Sequence, residues 1–169
     1  MVRRAGLIAM TVSSLLAASM SAVAAQPAVK TVVGCGDVIG QQVTGAFDGS
    51  RVVLGLASVP PARIQRAATS GVSSWKYFTK WGMAIRSGAS VTVSVPTAWR
   101  TRVAITWGSS TPIVSTLRFA LCRSADGRKQ PWNAYPGGFY VDTPTACVPL
   151  TFAAGQRSRT VRFGIGKSC

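Results

Sequence analysis

The chain has 169 residues, 47% of them hydrophobic, with 19 Lys and Arg against 4 Asp, no Glu and no His, for a net charge of +15. It is too apolar to be disordered, long enough for one packed domain and too short for two full-sized ones. Without His or Glu there is no Ser-His-Asp triad, no Cys-His pair, no His-ligated zinc and no Glu acid or base.

The N-terminus carries Arg3 and Arg4, then an uncharged run to residue 25 that ends in Ala22-Val23-Ala24-Ala25. This pattern predicts a secretory signal peptide over residues 1–25, cut after Ala24 or Ala25. An uncleaved anchor fits less well, because the run is rich in Ala and Ser and closes on small residues. Val32-Val33-Gly34-Cys35 looks like a lipobox, but Lys30 precedes it, and lipidating Cys35 would leave an odd number of cysteines. Residues 26–169 read as a single domain.

Segment 29–39 is expected to hold the first strand, broken near Gly34 and Gly36. Val52, Leu54 and Leu56 make the apolar face of the next. Segment 62–68 fits a helical turn or a loop. Segment 75–86 fits one strand, with Trp75, Tyr77, Trp81, Met83 and Ile85 on one face and Lys76, Lys80 and Arg86 on the other. Its aromatic content and Gly82 favour that strand over a short helix. Segment 90–95 alternates with its valines on one face. Val103, Ile105 and Trp107 repeat the pattern, as do Leu117, Phe119 and Leu121, then Val148, Leu150 and Phe152, then Val161, Phe163 and Ile165. Turn signals at Asp48-Gly49, Pro60-Pro61, Gly88, Pro96, Pro112, Asp126-Gly127 and Pro136-Gly137-Gly138 separate these runs. Short, evenly spaced strands with no long helical pattern predict an all-β fold: a disulfide-stapled antiparallel β-sandwich, with a barrel as the alternative.

The four cysteines, Cys35, Cys122, Cys147 and Cys169, read as two disulfides in an exported chain. Of the three possible pairings, Cys122 with Cys147 and Cys35 with Cys169 is favoured. The first closes a local loop and the second ties the N-terminal region to the last residue. No pair has C-x-x-C spacing, so neither a metal nor another cofactor is expected.

The block Gly88-Ala89-Ser90-Val91-Thr92-Val93-Ser94-Val95-Pro96 resembles a recurrent segment of secreted actinobacterial-type β-sandwich proteins of unknown function. So does the order that follows it. Phe119-Ala120-Leu121-Cys122 ends a basic strand, and segment 132–135 precedes Pro136-Gly137-Gly138-Phe139. Cys147-Val148-Pro149-Leu150 and the ending Val161-Arg162-Phe163-Gly164-Ile165-Gly166-Lys167-Ser168-Cys169 complete it. The resemblance covers roughly residues 50–169. It implies the architecture and the cysteines, not an activity.

Three patterns that could carry catalysis are weak. Asp48 and Asp126 are turn residues, which leaves Asp37 and Asp142 as the one conceivable acid/base pair. Ser73-Ser74-Trp75-Lys76 matches S-x-x-K but lacks the partner motifs of that chemistry. Gly164-Ile165-Gly166-Lys167-Ser168 resembles the end of a P-loop, yet no chain follows to form the helix that would receive phosphate. The chain is therefore read as a non-enzyme.

Charge is the stronger signal. Without Arg3 and Arg4, 17 basic and 4 acidic side chains leave +13. Arg100, Arg102, Arg118, Arg157, Arg159 and Arg162 sit on predicted strands, and a basic sheet face built from them would attract an anionic envelope polymer. The plainer account is a solvated face set by an arginine-rich composition. No motif for specific nucleic-acid recognition is visible. Trp132, Tyr135, Phe139 and Tyr140 surround the Pro136-Gly137-Gly138 loop, and exposed rings there could grip a sugar or a protein, although such rings more often plug a core. The leading expectation is an exported, non-catalytic module, secreted or held at the cell surface or wall, with a basic face as its contact.

Overall fold

The computed structural model describes residues 30–42, 50–123 and 132–169. The expected signal peptide and the Asp48-Gly49 and Asp126-Gly127 turns lie outside them.

The chain begins with β1 (Lys30–Val33), a 3₁₀ turn (Cys35–Asp37) and β2 (Gly40–Gln42). Then come β3 (Arg51–Val53), β4 (Ala57–Val59), β5 (Arg63–Ile64), β6 (Ala68–Thr69), β7 (Tyr77–Lys80), β8 (Met83–Arg86) and β9 (Val91–Ser94). A second 3₁₀ turn (Thr97–Trp99) leads to β10 (Val103–Trp107) and β11 (Thr116–Phe119). The last four are β12 (Trp132–Tyr135), β13 (Gly137–Val141), β14 (Ala146–Ala154) and β15 (Arg157–Ile165).

These strands make three open sheets rather than a closed barrel. Six strands run in the order β1-β11-β9-β14-β15-β5, five in the order β2-β12-β8-β4-β3, and four in the order β10-β13-β7-β6. Pairing is antiparallel except at two places, β1 with β11 and β15 with β5. The period-2 alternation works as expected in the six-stranded sheet. Val91, Val93, Leu117, Phe119, Val148, Leu150, Phe152, Val161, Phe163 and Ile165 are buried, while Thr92 and Ser94 face out.

The two smaller sheets form the opposing layer. Phe139 of β13 meets Phe163 of β15 at 5.4 Å between ring centroids, and Phe119 of β11 meets Tyr135 of β12 at 4.9 Å. The second layer bends at a corner where two adjacent strand pairs pass from one sheet to the other. β7 runs into β8 at Trp81-Gly82, and β12 runs into β13 at Pro136. Two bonds fasten the corner. The Trp81 amide donates to the Gly137 carbonyl at 2.8 Å, and Trp107 Nε1 donates to the Trp81 carbonyl at 2.9 Å. Gly137 is required there, because a Cβ would sit 2.0 Å from the Thr106 carbonyl oxygen.

Several expectations change. Segment 75–86 is two strands in different sheets, because the chain passes the corner of the second layer at Trp81-Gly82. Val52, Leu54 and Leu56 do not share a buried face. A tight turn at Leu54-Gly55, both at positive φ, makes a β3–β4 hairpin whose buried apolar side chains are Val53, Ala57 and Val59. Leu121 is 60% exposed rather than continuing the face of β11. Segment 62–68 contributes the short edge strand β5 rather than a helical turn.

The disulfides also pair otherwise than expected: Cys35 with Cys122 and Cys147 with Cys169. The cause is strand order. Because β1 lies parallel to β11, with Val33 opposite Phe119, the chain leaving each strand delivers Cys35 beside Cys122, at a Cα separation of 5.4 Å. The antiparallel β14–β15 hairpin sets Cys147 opposite Gly164, so the tail folds Cys169 back to it at 5.5 Å. Cys35 is thus engaged in a bridge, and the lipobox reading loses its thiol.

Tyr135 gives a test of the interior. It is 1% exposed, its hydroxyl has no hydrogen-bond partner among the described residues, and burial, with the Asp37 carboxylate nearby, pushes its pKa up to about 12. The unfolded chain would ionise this phenol near pH 10 and the folded chain only near 12. Stability is therefore intact below pH 10 and is expected to fall by about 2–3 kcal/mol as pH rises from 10 to 12. In Tyr135→Phe that slope disappears from denaturation midpoints, and the neutral-pH midpoint stays equal or rises, because a buried unpartnered hydroxyl is removed.

Candidate anion-binding face

Alternation along the four-stranded sheet sends Phe139, Val141, Val103, Ile105 and Trp107 into the core and turns Phe78, Lys80, Tyr140 and Thr106 outward. Register places Tyr140 opposite both Phe78 and Ala104, and the Phe78 and Tyr140 rings pack at 4.6 Å between centroids. Gly138 lies under this pair, for a Cβ there would come 3.0 Å from the Phe78 ring. Lys80, exposed, stands at one end of the face.

At the other end is a cleft of about 420 Å³ lined by Ser74, Trp75, Lys76, Arg100, Thr101 and Asp142. The 3₁₀ turn Thr97–Trp99 positions its basic wall. Arg100 is half-buried and its Nε donates to the Val95 carbonyl at 3.3 Å. Arg102 lies over the Trp99 ring, 4.9 Å from the centroid, and its Nε bonds Asp142 Oδ2 at 3.3 Å. Asp142 is the one acidic residue among the described residues lining the cleft, and Arg102 already engages it. Lys76 and Arg100 therefore face the cleft as cations beside the Trp75 ring. The ion pair is exposed and itself contributes little to stability.

Each sequence-predicted residue can now be placed. Arg100 lines this cleft, Arg102 touches it only through Asp142, and Tyr140 lies on the same sheet face. Arg118 and Arg162 project from the outer face of the six-stranded sheet. They stand on strands separated by β9 and β14, about 20 Å apart by strand spacing and register. Arg157 and Arg159 have the opposite parity, that of Val161 and Phe163, and extend past the core at the β14–β15 tip. There Arg159 approaches Arg51, which donates to the Arg162 carbonyl at 3.0 Å and lies over the Phe163 ring. Burial, with the Arg159 charge nearby, holds Arg51 below the ordinary arginine range. The single basic face expected of six arginines is thus a correction: they divide among three regions of surface.

The aromatic loop is corrected as well. Trp132, Tyr135 and Phe139 are 6%, 1% and 0% exposed, because segment 132–141 supplies the two strands flanking the corner. Only Tyr140 remains accessible, and only in part. Asp37 and Asp142 lie at opposite ends of β10. Asp37 accepts from Ser109 Oγ and the Ser110 amide beyond its C-terminus, whereas the Asp142 amide donates to the Arg102 carbonyl at its start. That is a separation of about 20 Å, against the roughly 5–10 Å that a carboxyl pair needs to flank one bond. Ser73 and Lys76 sit in a turn before β7, not one helical turn apart.

The sequence alone does not mark Phe78 and Lys80 as contacts. Their signal is the parity they share with Lys76 along β7, visible once β7 is known to leave one face open. Comparison with protein-family models, with curated proteins and with solved structures finds no match.

Proposed function

We propose that the protein is an exported, non-catalytic module that binds an anionic polymer of the cell envelope at the open face of the four-stranded sheet. The observation that carries this reading is the cleft in which Lys76 and Arg100 meet beside Trp75, with its one carboxylate already engaged by Arg102. Guanidinium and ammonium groups suit phosphate or carboxylate groups along a chain, and the Trp75, Phe78 and Tyr140 rings suit the carbon surface between them. A net charge of +13 on residues 26–169 would steer such a polymer toward the protein. The N-terminal pattern supports export, and two disulfides are compatible with an oxidising extracellular setting. The resemblance to secreted β-sandwich proteins agrees with that setting and adds no activity.

Retention of the oxidised protein on purified cell wall tests the reading. The protein is expected to be held at low salt and released at high salt, because exposed charge pairs are screened. Failure to bind at low salt, or binding that is indifferent to salt, would contradict it.

A further inference from the structure

A second groove, of about 480 Å³, lies between the edge strand β5 and the corner. It is lined by Pro61, Arg63, Ile64, Gln65, Arg66, Trp81 and Gly166 and shares no residue with the cleft of the four-stranded sheet. Its volume is within the ordinary range of small-ligand sites.

Three features make it a prepared surface. Arg63 and Arg66 are exposed and neither is paired with an acid among the described residues. Trp81 is partly buried against the core, and its indole nitrogen is shut away from solvent with no hydrogen-bond partner among the described residues. The part of that side chain which meets solvent is therefore carbon alone, while its backbone is pinned at both the amide and the carbonyl. Gly166, at φ +64°, fixes the far border: its amide donates to the Ile64 carbonyl, and any side chain there would come 3.0 Å from the Arg66 Cα. The groove thus brings Arg63 and Arg66 into one lining with the aromatic carbon of Trp81.

We infer that this groove is a second binding site, for an acidic sugar residue of the hexuronate class. The guanidiniums supply donors for a carboxylate, and the Trp81 wall takes the C–H face of the ring. A bare inorganic anion would satisfy the arginines and leave the indole carbon in water. A neutral sugar would do the reverse.

The test is calorimetric titration of the oxidised protein carrying Lys76→Gln and Arg100→Gln, which silences the other cleft, with trigalacturonate at low salt. Trigalacturonate is expected to bind. Adding Arg63→Gln and Arg66→Gln, both at exposed positions, should weaken it at least about tenfold, with the near-ultraviolet dichroism unchanged. Inorganic phosphate and maltotriose should each bind at least about tenfold more weakly than trigalacturonate. The inference is overturned if trigalacturonate does not bind in the Lys76→Gln, Arg100→Gln background, if the added substitutions leave binding unchanged, or if phosphate or maltotriose binds as tightly. Because that background lacks the first cleft's cations, failure here is distinguishable from failure of the envelope-polymer reading.

Discussion

Replacing Cys35 and Cys122 together by Ser is expected to lower unfolding free energy by about 4–5 kcal/mol, against about 3 kcal/mol for the matching change at Cys147 and Cys169. The difference follows from the loops closed, with sequence separations of 87 and 22 residues. In the chain-entropy account the longer loop restricts the unfolded chain more. The native state adds to the asymmetry. The Cys35–Cys122 bridge ties the end of β1 to the end of β11, and β1 is an edge strand paired on one side only. The larger loss approaches the whole stability of an ordinary domain. Denaturant unfolding without reductant measures both values. Peptide mapping of the Cys35→Ser, Cys122→Ser variant should still show one crosslink, Cys147 to Cys169; a Cys122–Cys147 peptide in the unaltered protein would contradict this pairing.

Phe139→Ala is expected to cost about 3–5 kcal/mol. The ring has no exposed surface and lies 5.3 Å from Trp107 and 5.4 Å from Phe163 between centroids, with Phe152 beyond at 6.5 Å from Phe163. It is the point at which the four-stranded sheet joins the six-stranded one, so its removal opens a cavity that neither layer can fill without moving. Tyr140→Ala, one residue along and half-buried on the outer face, should cost clearly less. Thermal unfolding of the two variants compares them. Equal, small losses would return residues 136–139 to the status of an exposed loop.

Much of the fold is legible in single strands. The valines of β9 and the apolar sets of β10, β14 and β15 alternate because one face of each strand is buried. What alternation cannot carry is which strand lies beside which. The parallel placement of β1 against β11 is a non-local pairing with no local signature, and the disulfide pairing depends on it. The Trp81-Gly82 crossing keeps the residue parity of segment 75–86 intact, so one long strand and two strands in different sheets look alike along the chain. The division of the arginines was partly readable. Arg157 and Arg159 differ in parity from Arg162 and could never share a face with it, whereas the distance of Arg118 from Arg162 depends on the two strands between them. Lys76 and Arg100 come together only because β7 and β10 flank β13.

The measurement that bears most directly on the account compares two charge reversals of equal size. Lys76→Glu with Arg100→Glu alters the cleft of the four-stranded sheet. Arg157→Glu with Arg159→Glu makes the same change in net charge at the β14–β15 tip. Affinity for a purified anionic envelope polymer is read across a range of salt concentrations. The first pair is expected to lower affinity at least about tenfold and to flatten the salt dependence, while the second changes it no more than about threefold. Equal losses from the two pairs would mean that net charge alone draws the polymer, and that the cleft is not its site.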